Sequence, residues 1–225
     1  MNFKVNRKIT ESKTGLLLQI FAVFLPPIFF LKSVSLFPAM VASLLLAWGT
    51  LRLRNKTWKD VGFCKPESFG RLIFITVIAT AILLPLSSVT LSAVRTLVGT
   101  APNLAAFESL RGNMVVLAGG LVVAWVFGAF IEELLFRGFL LNTLHEWFSH
   151  KGCPPGITWT AAVLVTSVFT GIGHCYQGIA GMIGTGLIAV GFSAVYLMNR
   201  RNLWSCILTH GLYDTVAFLL VFRGI

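Results

Sequence analysis

The chain has 225 residues, of which 56% are hydrophobic and 12% charged, whereas a soluble domain carries roughly a quarter charged residues. That composition excludes disorder, collagen-like repeats and coiled coil, and four cysteines without a CxxC pair exclude a disulfide scaffold. What remains is a polytopic, all-α membrane protein. Its formal net charge of +10, which would suggest nucleic acid for a soluble protein, is read as retention of Lys and Arg on one side of a bilayer, with no nucleic-acid partner.

A bilayer core about 30 Å thick takes about 20 apolar residues of helix. Charge-free runs of that scale cover residues 14–31, 33–51, 72–94 and 112–131. A longer run without formal charge, between Lys151 and Arg200, is divided by the Gly-rich segment around 174–181 into 157–174 and 179–198, and 202–222 closes the series. Seven spanning helices are expected. The first follows a basic segment, as a signal peptide would. It exceeds a typical h-region, holds Pro26-Pro27 and lacks a small-residue cleavage site, so it is expected to stay as an anchor.

The basic residues predict a cytoplasmic N-terminus and a C-terminus outside. The inner side then holds Lys4, Arg7, Lys8 and Lys13, the cluster Arg52, Arg54, Lys56, Lys59, Lys65 and Arg71, and Lys151, Arg200 and Arg201. Lys32, Arg95, Arg111 and Arg223 fall outside. The expected setting is the plasma membrane, with the lipid bilayer itself as a partner. Residues 1–110 supply the first helices and a basic loop at about 52–71, and 111–225 form the second part of one integral unit. No internal repeat is visible, which removes support for an inverted-repeat transporter.

An ionisable group at the centre of a transmembrane helix costs about 2.5–3.5 kcal/mol on insertion scales, so each one needs a reason. Glu132, Glu133 and Arg137 interrupt GAFIEELLFRGFLL, His174 closes the fifth run, and His210 and Asp214 lie in the last. At about 100° per residue, Arg137 lies about 40° from Glu133 and about 140° from Glu132. The spacing predicts a Glu133–Arg137 ion pair and leaves Glu132 free to address another helix. Residues 150–156 (HKGCPPG) read as a turn, from which Glu132 and His174 are equally distant, so an antiparallel hairpin brings them level. His210 and Asp214, four apart, share a face. One conflict follows: 112–131 as a complete span leaves Glu132 at the inner surface, while 157–174 as a span carries His174 to the outer one. Immersion of the apolar segment 138–149 would place Glu132 within the bilayer.

Several chemistries lack their residues. His145-Glu146-Trp147-Phe148-Ser149-His150 is HExxxH, not HExxH, and its histidines stand about 140° apart. There is no GxSxG, and Cys175, although next to His174, faces a different direction on a helix. The bland alternatives are an interfacial charge cluster for the glutamates, a cap histidine for His174 and a helix–helix polar contact for His210.

The ordered residues resemble a known family. Glu132-Glu133-Leu134-Leu135-Phe136-Arg137 matches the EExxxR motif of the CPBP intramembrane glutamic proteases, which include type II CAAX prenyl endopeptidases and bacteriocin-processing or self-immunity proteins, and Gly138-Phe139-Leu140 continues it. The family's FxxxH is represented by Phe169 and His174, with the Phe one position early and Thr170 in its place. HxxxD is matched by His210 and Asp214, and Thr57-Trp58-Lys59-Asp60-Val61-Gly62-Phe63 is similar to a segment found upstream in the family.

The resemblance implies a metal-independent endopeptidase without a cofactor, acting on a peptide or membrane-protein substrate, prenylated or not. It implies Glu132 as the base that activates water, His174 as a water ligand, His210 and Asp214 as oxyanion stabilisers, and Glu133 and Arg137 as supports. Two alternatives use the same residues: a metal-dependent protease with Glu132, His174 and His210 as ligands, and a non-catalytic immunity or scaffold protein.

Overall fold

The computed structural model describes residues 7–30, 36–150 and 152–225. These residues form helices and connecting turns, with no strand among them. Seven long helices follow one another: α1 (Lys13–Phe30), α2 (Phe37–Leu53), α3 (Phe69–Val98), α4 (Met114–Ser149), α5 (Pro155–Gly173), α6 (Gly178–Met198) and α7 (Leu203–Arg223). Each expected run therefore falls on a helix, while Lys32, Lys4 and Lys151 lie outside the described residues. By length and composition five are fit to cross a membrane: α3, α4, α5, α6 with the turn before it, and α7. The apolar helices α1 and α2 are shorter, and the 17 residues of α2 reach only about 26 Å.

The helix ends have local causes. Ser68 accepts from the Arg71 N–H at the start of α3, Asn113 from Val116 at α4, and Asn202 from Trp204 at α7. Pro155 opens α5 at a position where its missing N–H costs nothing, as the HKGCPPG turn predicts.

The largest departure from the sequence reading is α4. It runs 36 residues instead of ending near 131, and much of it, Ala124–Glu132 and Leu134–Leu141, is π-helical. Glu132 is therefore near the middle of a candidate span that also contains 138–149. Asn142 ends the π-helical stretch: its Nδ2 donates to the Arg137 carbonyl at 2.9 Å, the Gly138 carbonyl at 2.8 Å and the Tyr196 hydroxyl at 2.8 Å. A side chain thus satisfies carbonyls four and five residues back while the winding changes.

The segment Thr57–Phe63 is folded under this helix. The Asp60 carboxylate accepts from the Thr57 N–H (2.7 Å) and hydroxyl (2.8 Å), and these bonds, the backbone one foremost, hold its pKa below the usual carboxylate range. The turn is therefore complete at neutral pH and loosens only as pH falls through that lowered value. Gly62, at φ 100°, turns the chain against the Arg201 carbonyl, and its own carbonyl accepts from the Leu203 N–H at 2.9 Å. Tyr196 donates to the Val61 carbonyl at 3.0 Å, and Phe63 packs edge-on against Phe130.

Two of the HExxxH residues, His145 and Glu146, are structural. His145 stacks on Trp159 and bonds Thr158 at 2.9 Å, while Glu146 pairs with the fully buried Arg54 at 2.7 Å and with Lys56.

Candidate active site

α4 delivers two adjacent carboxylates to different environments. Glu133 is fully buried: its Oε1 accepts from Arg137 Nη1 at 3.1 Å and lies 2.8 Å from His210 Nδ1. Arg137, also fully buried, spends Nη2 on the Ala189 carbonyl at 3.0 Å and sets its guanidinium 5.5 Å from the centre of the Phe192 ring. The expected i, i+4 pair is present, and it is one arm of a bridge that reaches α7. Glu132 is only partly buried and has no hydrogen bond or ion pair among the described residues; it faces a cavity of about 330 Å³.

The same cavity is lined by His174, His210 and Asp214, so the three expected motifs converge. Arg137 also reaches its wall, although a regular α-helix would turn it about 140° from Glu132. The π winding explains the difference, because it aligns residues five apart more closely than α geometry does.

Each histidine has a defined donor. His174 sits where α5 ends, and its Nδ1 lies 2.9 Å from the Thr170 carbonyl. A carbonyl only accepts, so Nδ1 carries hydrogen and Nε2 keeps a lone pair. This bond comes from the backbone, so the Thr at position 170 supplies it as well as an aromatic residue would. The displaced Phe169 packs away from the site, edge-on to Phe24 at 5.8 Å. His210 likewise gives its Nδ1 hydrogen to Glu133, while Nε2 stands 3.5 Å from Asp214 Oδ2. The expected His210–Asp214 proximity is present, but Glu133 is the group that orients the ring. Long-range pairing of that kind leaves no trace in spacing.

Close packing of α7 on the π segment holds this arrangement. A Cβ on Gly211 would stand 2.6 Å from the Trp125 ring, and one on Gly128 would stand 3.1 Å from Asp214 Oδ2. Trp125 in turn donates from Nε1 to Thr215 at 3.1 Å. Gly211→Ala is expected to cost about 1–3 kcal/mol by overpacking. The check is thermal unfolding in detergent, with part of the loss recovered when Trp125→Leu is added.

Among the described residues, no three His, Cys, Asp or Glu side chains are grouped as a metal site. Two histidines, Asp214 and an unpaired carboxyl thus surround one cavity in an all-helical chain with five helices fit to cross a membrane. Among known proteins, residues 114–216 match the family model described as type II CAAX prenyl endopeptidase Rce1-like, a span that includes every site residue above. Residues 114–216 thus form a type II CAAX prenyl endopeptidase-like region, and the apolar helices make the chain an integral membrane protein. No curated protein and no solved structure matches it.

Proposed function

We propose that the chain is a glutamate-dependent intramembrane endopeptidase. The observation that carries this reading is the division between the two glutamates: Glu133 is consumed by Arg137 and His210, whereas Glu132 is unpaired on a cavity shared with both histidines. Glu132 takes a proton from water, and the water oxygen attacks the scissile carbonyl carbon as the carbonyl electron pair moves onto its oxygen. The Nε2 lone pair of His174 accepts the water's other hydrogen and orients it. The oxyanion is met by an N–H on His210 Nε2, the ring nitrogen that Glu133 leaves available when His210 is the imidazolium, with Asp214 beside it. On collapse the C–N bond breaks and the proton held by Glu132 passes to the departing amine.

In this reading all seven helices cross the plasma membrane with the N-terminus inside, and the substrate is a peptide or a segment of a membrane protein, prenylated or not. The test is cleavage of a quenched octapeptide library by the purified chain in liposomes, with Glu132→Gln as the comparison. Stripping with a chelator is expected to leave the rate unchanged. Loss on stripping, restored by zinc, would instead favour a metal held by Glu132, His174 and His210.

A further inference from the structure

The two ends of the helix bundle are unlike, and the cavity belongs to one of them. At the first end the loop 54–68 and the turns after α4 and α6 are tied together: Leu203 N–H to the Gly62 carbonyl at 2.9 Å, Asn202 to the Cys64 carbonyl at 3.1 Å, Arg54 to Glu146, and Arg201 over Trp159. This end carries Arg52, Arg54, Lys56, Lys59, Lys65, Arg71, Arg200 and Arg201. At the second end, residues 99–113 form a strap across the helix tips. The Asn103 N–H donates to the Gln177 carbonyl at 2.8 Å, the Gly112 N–H donates to the Phe222 carbonyl at 3.1 Å, and Phe107 packs on Phe218 at 5.5 Å. The described cations here are Arg95, Arg111 and Arg223.

The cavity runs from Glu132 to this second end. Pro102, Leu104 and Phe107 of the strap, Gln177 and Val221 line it, and no residue of the basic loops does. Pro102 and Leu104 also line a second hollow of about 250 Å³, which adds the charged Glu108 and Arg111. The strap is therefore a thin wall between an apolar chamber that holds the carboxyl and a polar hollow beyond it. The excess of Lys and Arg marks the first end as cytoplasmic.

From this placement, and resting on the peptidase reading for what the chamber does, we infer that the site takes its substrate from the exoplasmic side. The substrate is an extended segment of an exported or membrane-anchored peptide, with its apolar stretch inside the strap and a polar flank in the outer hollow. A prenylated C-terminus presented from the cytoplasm would approach the wrong end.

Native cysteines report on both ends: exposed Cys153 lies in the turn before α5, and partly buried Cys175 adjoins His174 under the strap. Chains retaining one or the other, and a Thr100→Cys chain otherwise free of cysteine as a second, exposed reporter on the strap, are treated with a membrane-impermeant maleimide in sealed right-side-out vesicles. Cys175 or Thr100→Cys is expected to label, with Cys153 labelling only in inverted or detergent-opened vesicles. The reverse pattern, strap-side reporters reached only from the cytoplasmic face, would overturn the inference. Labelling does not depend on turnover. A Glu132→Gln chain that labels as expected yet cleaves like the wild type would refute the peptidase reading and leave the sidedness standing.

Discussion

Glu132→Gln is expected to abolish peptide hydrolysis while the purified protein inserts, folds and unfolds thermally like the wild type. The amide keeps the shape of the carboxyl and breaks no bond, because Glu132 has no hydrogen-bond or ion-pair partner among the described residues. In the proposed mechanism, what is lost is the acceptor for a water proton. General acid–base catalysis is worth about 10²–10⁴-fold, and in that mechanism one carboxyl serves both the attack and the protonation of the leaving amine, so the loss belongs at the upper end. The measurement is a rate in liposomes together with an unfolding curve in detergent; wild-type-level cleavage would remove Glu132 from the chemistry.

The neighbouring position should give the opposite phenotype. Glu133→Ala leaves the fully buried Arg137 without its carboxylate and frees the Nδ1 of His210. Removing one partner of a buried ion pair costs about 3–5 kcal/mol, because an uncompensated charge stays behind in low dielectric. A large fall in thermal stability is expected, with activity lost as a consequence of misfolding. Adding Arg137→Met to Glu133→Ala should restore much of the stability and none of the activity, since replacing both members of such a pair by apolar groups is close to neutral while His210 remains unanchored. Equal stability of the single and double variants would mean that the pair is not a structural unit.

These two adjacent residues show how far the sequence could be read. The Glu133–Arg137 pair and the freedom of Glu132 followed from i, i+4 spacing, and the level placement of Glu132 and His174 followed from counting outward from the Pro-Pro turn. Both inferences use local geometry, which a single sequence records. The inferences that failed used local geometry where tertiary contacts override it. Glu132 and Glu133 interrupt an apolar run and so predict an end of α4 near 131, but their charges are met by a cavity and by a buried arginine, and the helix continues to Ser149. Its π winding gives way at Asn142, whose partner Tyr196 is 54 residues away. The His210–Glu133 bond spans 77 residues, and the packing of Gly211 on Trp125 joins two helices whose order in the chain says nothing of their contact. The segment Thr57–Phe63 stands out in the sequence by resemblance alone; its physical role is to brace one end of the helices that line the cavity through Val61 and Gly62.

The most direct measurement is a comparison of peptide termini by mass spectrometry in membranes that carry either the wild-type chain or Glu132→Gln at equal abundance. The expected result is a set of new C-termini, cut within or beside apolar segments, that the wild type produces and the variant does not. Identical sets from the two membranes would contradict it.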